Sequence, residues 1–355
     1  MANIQFNGVG IRAVAACVPA GVSRNADALR GLLPDDEIEK TIHAIGIREK
    51  RLAPKDVCAS DLCAAAAEKL FADNPDAPRD EIDFLLFMSQ TADFRTPATA
   101  PILQHRLGLP QSCAALDLSL ACSGYVYALS TAFAYAALPG VRRVLLLDGE
   151  TYSKCVNPRD RVNAPLYGDA GTATLVEKSP EFGDAHFTLK TDGGGADVVK
   201  IPAGGCRVPA SAETLREETD AEGNVRSGCE VRMNGMDVFN FAIRSVPAVT
   251  KETAARAGFA PADADCVVFH QANRMMTDFL AARMKIAPEK ILYSLGEYGN
   301  TSSASIPLTL AARGNALAAR ERALLCGFGA GLSWAAAALS LAPTKFSEPF
   351  DFNPT

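Results

Sequence analysis

Apolar positions along this chain fall into short runs set apart by longer stretches with helical spacing. Residues 84–88, 114–120, 144–147, 267–269 and 323–326 are such runs, and each predicts a strand covered on both faces. Between them, residues 62–71, 125–138, 275–284 and 308–317 carry apolar side chains at helical spacing, the second stopped by Pro139 and Gly140. Strand and helix alternate through the whole chain, which predicts an α/β layered fold built mainly on parallel sheets. The stretch 121–138 is the longest apolar one, but Ser123, Gly124, three Tyr, Ser130 and Thr131 interrupt it, so it predicts a buried helix and not a membrane span.

The pattern repeats once at long range. Residues 83–93 resemble 265–275, and the glycine turn with small-residue strand at 168–177 matches the one at 327–339. Two fused α/β halves are therefore expected, 1–180 and 181–355, meeting where charged, Pro and Gly residues cluster at 177–184. Residues 203–230 are polar and Gly-rich, and are expected to form a surface loop of the kind that covers a site. Residues 343–355 carry three Pro and little pattern, and are expected to be a surface tail.

Composition narrows the function classes. With 48% hydrophobic and 21% charged residues the chain is too apolar for disorder. A net charge of −6 and no Lys/Arg run exclude a nucleic-acid or anionic-membrane surface. The N-terminal residues read as a first strand, not a signal peptide, which predicts a cytoplasmic protein. Ten cysteines stand without a single CxxC pair, so neither zinc nor thioredoxin chemistry is indicated, and a catalytic cysteine must be picked out by its neighbours.

Four stretches carry candidate chemistry. Leu120-Ala-Cys-Ser-Gly-Tyr125 puts Cys122 where a strand turns into a helix, and the partial positive charge of a helix N-terminus favours the thiolate, the form that exchanges with thioesters. Phe269-His-Gln-Ala-Asn-Arg274 puts His270 at another strand end; His43, His105 and His186 lie in contexts that need only solvation or packing. Tyr298-Gly-Asn-Thr-Ser-Ser-Ala-Ser305 is a run of small polar residues, Asn300 among them, directly ahead of a helix. Gly327-Phe-Gly-Ala-Gly-Leu-Ser-Trp334 offers backbone N–H groups that can come close to a ligand, as an oxyanion hole requires. Each also has a plain structural reading: a buried cysteine, a packed histidine, a helix cap and a bend between strands.

In this order the four resemble the thiolase-fold condensing enzymes, specifically the 3-oxoacyl-acyl-carrier-protein synthase III family. Gly46 to Glu49, Asn157 to Arg161, Tyr167 to Asp169 and Met233 to Phe239 extend the resemblance over nearly the whole chain. It implies a thiolase-like fold of two duplicated halves in α-β-α-β-α layers, a homodimer, and decarboxylating condensation of an acyl primer with malonyl-acyl-carrier protein in fatty-acid initiation. Cys122 would be acylated, and His270 and Asn300 would donate to the extender carbonyl. Backbone groups of Cys122, Gly329, Ala330 and Gly331 would hold the oxyanion. Acyl-coenzyme A and acyl carrier protein enter as substrates, and no motif supports a metal or redox cofactor.

Departures from the family pattern bear on the substrate. Lys40 and Ala44 stand where many members carry a Trp and an Arg at the coenzyme A site, while Arg161 matches a residue near the nucleotide. Thr96 replaces a Phe that closes the acyl pocket from the partner subunit, which hints at a longer primer. Acyl carrier protein is acidic, and Arg274, Arg283 and Lys285 are the basic candidates for docking it; Arg274 and Lys285 are expected to share a helix face with Asp278, whose i,i+4 pairing would offset the Arg274 charge. A starter-unit condensing enzyme of a specialised, polyketide-like pathway, a Cys-His-Asn hydrolase and a non-catalytic partner subunit remain as alternatives.

Overall fold

The computed structural model describes residues 2–317 and 319–353. In the first half of the chain run β1 (Ala2–Asn7), β2 (Val9–Pro19), helix α1 (Ala59–Asp73), β3 (Ile82–Met88), α2 (Thr99–Arg106), β4 (Ala114–Leu118), α3 (Gly124–Ala136), β5 (Arg143–Glu150) and β6 (Ala170–Lys178). There follow β7 (Asp184–Thr191), α4 (Gly235–Arg256), β8 (Cys266–Phe269), α5 (Arg274–Arg283), α6 (Ser305–Ala312), β9 (Ala323–Gly329), β10 (Ser333–Leu339), β11 (Lys345–Phe346) and β12 (Phe350–Phe352).

Two large sheets result. One runs β4-β3-β5-β6-β2, with β11 and β12 along the outer side of β2; the other runs β8-β9-β10-β7-β1. The repeat seen in the sequence is the repeat of the fold: β3 and β8 are matching strands, as are β6 and β10. The sheets are mixed, which corrects the expectation of mainly parallel pairing. β3 pairs in parallel with β4 and β5, and β8 with β9, but the β6 and β10 pairings are antiparallel. Continuous apolar runs mark burial on both faces, and burial here comes from layering whatever the strand direction.

The layers follow from which helices are apolar all round. α3 has no charged residue and buries Tyr125, Val126, Leu129 and Phe133 between the sheets, where α6 lies beside it. α1 and α2 cover the outer face of the first sheet through Leu62, Leu70 and Leu103. α4 and α5 cover the second through Val246, Val249 and Leu280. Gly171 of β6 lets α1 sit directly on the sheet, since a Cβ there would stand 2.3 Å from the Cys63 nitrogen.

The ends of the chain cross over. β1 belongs to the second sheet and β11 and β12 to the first. The expected tail at 343–355 is thus corrected: β11 and β12 pair in parallel with β2, and Phe346, Phe350 and Phe352 pack against the cores. Their few residues show no periodicity because two- and three-residue strands are too short to have any. The helix expected over 308–317 begins at Ser305 and breaks at Arg313 before a short second piece, Gly314–Leu317. The strand expected to reach residue 120 ends at Leu118. Residues 203–230 form a surface loop holding a small hairpin of Glu218–Thr219 with Val225–Arg226. Among the described residues no helix is long and apolar enough to cross a membrane.

Candidate active site

The cleft forms where the carboxyl ends of β3, β5, β8 and β9 converge. Cys122 lies in the loop between β4 and α3, one residue before the Ser123 N-cap. Its sulfur stands 3.7 Å from the Ser302 hydroxyl. Gly329 at the end of β9 lies against it: a Cβ there would be 2.8 Å from the Cys122 Cβ and 3.2 Å from its sulfur. Burial pushes the thiol up to about 12, the Ser302 hydroxyl pulling down and the nearby Glu150 and Asp148 pushing further up. The helix N-terminus was expected to favour the thiolate, but in this crowded site desolvation outweighs it. The resting group is the thiol.

His270 follows β8, its backbone N–H bonded to the Cys326 carbonyl at 2.8 Å. Its Nδ1 is 2.8 Å from the Ser305 hydroxyl, whose oxygen also accepts from the Gln271 N–H at 3.3 Å. Accepting from Gln271 leaves the Ser305 oxygen its own proton and a second lone pair, so this hydroxyl holds the ring in place and suits either neutral tautomer. The ring meets Phe328 edge-on at 5.5 Å. Burial drives the imidazole down to about 3, partly opposed by the Ser302 backbone, so it is neutral at physiological pH.

Asn300 is fixed through its backbone and its amide oxygen. Its N–H donates to the Leu166 carbonyl at 2.9 Å, its carbonyl accepts from Gly168 at 3.0 Å, and its Oδ1 accepts from the Ser302 N–H at 2.9 Å. The donor end, Nδ2, is the end left for a ligand. Gly299, in the left-handed region at φ +73°, sets this turn, and a Cβ there would meet the Leu166 carbonyl at 2.9 Å.

Cys122, His270 and Asn300 all line one cleft of about 90 Å³, together with Gly329 and Ala330. Leu166, Val199, Met233, Val238, Met276 and Phe328 make most of its wall apolar. Gly331 stands behind it at φ +137°, completing the turn between β9 and β10. The arrangement offers a thiol, a neutral imidazole, an amide donor and a backbone turn around one apolar volume, which suits thioester chemistry.

Other expected residues lie elsewhere. Thr96 is exposed and bonds the Arg95 carbonyl at 2.8 Å, away from the cleft of its own chain. Arg161 packs beneath the Glu222–Gly223 turn of the 203–230 loop. Lys40 pairs with Asp36 at the surface. Arg274, Arg283 and Lys285 are exposed, but Arg274 bonds Asp278 at 2.8 Å and lies over the Tyr293 ring at 4.1 Å. Lys285 falls beyond the end of α5 with φ +57°, which corrects the expectation that it shares a helix face with Arg274. Ser302, Ser305, Gln90 and Tyr152 were not singled out in the sequence, and Tyr167 entered only with the 167–169 stretch, without a place in the cleft. The two serines lay within a quoted polar run, but only the closed turn shows which of its hydroxyls reach the cysteine and histidine.

Comparison with known proteins gives one answer. Residues 116–193 match the family described as 3-oxoacyl-[acyl-carrier-protein (ACP)] synthase III, and residues 254–341 match its C-terminal family. A beta-ketoacyl-[acyl-carrier-protein] synthase III of Desulfitobacterium hafniense (strain Y51) is 35% identical over 332 residues, covering 93% of this chain and 96% of that one. The crystal structure of a 3-oxoacyl-(acyl-carrier protein) synthase from Burkholderia xenovorans LB400 superposes with a TM-score of 0.90 at 36% identity, covering 99% of both chains. A priming beta-ketosynthase from the R1128 polyketide biosynthetic pathway superposes with a TM-score of 0.80 at 27% identity, covering 94% of this chain and 96% of that one.

Proposed function

Since the chain belongs to the 3-oxoacyl-acyl-carrier-protein synthase III family of condensing acyltransferases, we propose that it joins an acyl primer to malonyl-acyl-carrier protein through an acyl group held on Cys122. The observation that carries this reading is the meeting of Cys122, His270 and Asn300 in one apolar-walled cleft.

The Cys122 sulfur attacks the primer thioester, a new carbon–sulfur bond forms, and the departing thiol leaves with the cysteine proton. Because the thiol is held protonated, sulfur attack and proton transfer to the leaving group go together. Malonyl-acyl-carrier protein then binds with its thioester oxygen facing His270 Nε2–H and Asn300 Nδ2–H. Loss of carbon dioxide leaves its electron pair on the enolate, which these donors stabilise. Neutral histidine suits donation without full proton transfer. The α-carbon attacks the acyl-cysteine, backbone N–H groups of Cys122 and the Gly329–Gly331 turn hold the oxyanion, and Cys122 leaves as thiolate and takes up one proton.

Primer delivery by acyl-coenzyme A near Arg161, carrier docking at Arg274, Arg283 and Lys285, and a homodimer in which Thr96 closes the partner's acyl pocket belong to the same reading. β4 supports the dimer, being a part-exposed edge strand of the first sheet. Fatty-acid initiation is the role proposed. The R1128 likeness, together with Thr96 and the 203–230 loop, favours as second reading a specialised starter-unit enzyme with a longer primer.

Intact-protein mass spectrometry with a panel of acyl-coenzyme A and acyl-carrier thioesters tests the proposal. An acyl adduct is expected on the wild type and on His270→Ala, but not on Cys122→Ala, and the preferred chain length chooses between the two roles. No adduct from any thioester would sink the covalent mechanism.

A further inference from the structure

Two acids beside the nucleophile take no part in the proposed chemistry. β5 ends in Asp148 and Glu150, two residues apart and so on one face of the strand, both fully buried. That face meets the turn 302–304. The Ser303 hydroxyl is 2.6 Å from Asp148 Oδ1 and 3.2 Å from Glu150 Oε1. Glu150 also accepts from the Gln90 N–H at 3.1 Å and the Thr91 hydroxyl at 2.9 Å, whereas Asp148 Oδ2 has no hydrogen-bond partner. Neither acid forms an ion pair among the described residues.

A hydroxyl has one proton to give, and two carboxylates buried around it without a cation cannot both stay charged. The turn they hold is the working one. Ser302 contacts the Cys122 sulfur through its hydroxyl and the Asn300 Oδ1 through its N–H, with φ +51°, a conformation that a non-glycine residue keeps only under constraint. We infer that Asp148 and Glu150 hold one proton between them across Ser303, and that this pair pins the Ser302 turn against Cys122 and Asn300 while setting the charge beside the thiol. Both acids are positioning residues, and the inference rests on Cys122 as the nucleophile.

The charge that the pair carries opposes the thiolate, in line with both acids pushing Cys122 up. Burial lifts Glu150 to about 7 and Asp148 well above the usual carboxylate range, so the pair gains or loses its charge near neutrality. The other titratable groups interacting with the two acids are Cys63, Tyr125, Tyr152, Cys155 and Asp169, with Tyr167 and His270 lining the same cleft and Lys50 and Lys154 as the cations acting on Asp169.

Iodoacetamide alkylation of Cys122 across pH, read by peptide mass spectrometry, tests the charge. Glu150→Gln leaves one acid, which can keep the proton and be neutral, so the alkylation midpoint is expected to fall by about one pH unit, roughly tenfold in thiolate at fixed pH. The acyl-adduct rate tests the turn. Asp148→Asn keeps an oxygen for Ser303 and is expected to acylate within about threefold of wild type, while Ser303→Ala slows acylation at least about tenfold without lowering the thermal midpoint. An unchanged alkylation profile in Glu150→Gln, or wild-type acylation in Ser303→Ala, overturns the inference. Alkylation needs no thioester, so it still decides the charge if wild-type Cys122 proves never to be acylated, an outcome that defeats the condensing reading instead.

Discussion

Gly329 is where the backbone of the second sheet touches the nucleophile carried by the first. A methyl group there meets the Cys122 Cβ at 2.8 Å, and neither backbone can move without disturbing a buried strand. Gly329→Ala is therefore expected to lower kcat/KM by about 10²-fold or more through a displaced oxyanion turn, with an unchanged far-ultraviolet circular dichroism spectrum. At this scale the sequence was informative wherever a residue type was rare in its setting. Cys122 stood out by its strand-to-helix position and His270 as one of four histidines, two of which, His43 and His105, are exposed. Asp148 and Glu150 were passed over because an acid after an apolar run looks like a strand end reaching solvent. Distant segments bury them, the 302–304 turn from one side and Gln90 and Thr91 from another.

At the scale of elements, the short strands β11 and β12 show how tertiary contact makes structure that local pattern does not. Phe346 packs against Gly314, where a Cβ would be 2.2 Å from the Phe346 Cβ, and Phe350 packs on the α1 core. Phe346→Ala combined with Phe350→Ala is expected to destabilise the protein by about 2–5 kcal/mol in urea unfolding, because two part-buried rings lose their packing. A loss within about 0.5 kcal/mol would mean that these strands are peripheral. By contrast α3 was readable from its composition, since a helix without charges and apolar all round belongs between two layers. Strand direction was not readable, because burial on both faces gives parallel and antiparallel strands the same apolar pattern.

At the scale of the whole molecule, the neutral buried His270 ties stability to acid. The folded protein holds it near 3, whereas unfolded histidine titrates at 6.5. As pH falls from 6.5 toward 3 the unfolded chain takes a proton that the folded state refuses, so stability is lost through this window, by roughly 4–5 kcal/mol if the whole shift is expressed. His270→Gln lacks the group, and its denaturation free energy is expected to fall less steeply with acid than that of the wild type; parallel curves would contradict the burial argument. What the sequence determined by itself was the main strands and helices, the duplication of the halves and the residue types of the site, because periodicity and motif order are local properties. The tertiary structure alone decided the crossing of the chain ends between sheets, the protonated resting state of Cys122, the Ser305 hydroxyl set against the His270 ring and the burial of Asp148 and Glu150. Each of these depends on what a distant segment brings within a few ångströms, and desolvation and hydrogen bonding at that range are set by packing rather than by neighbours in sequence.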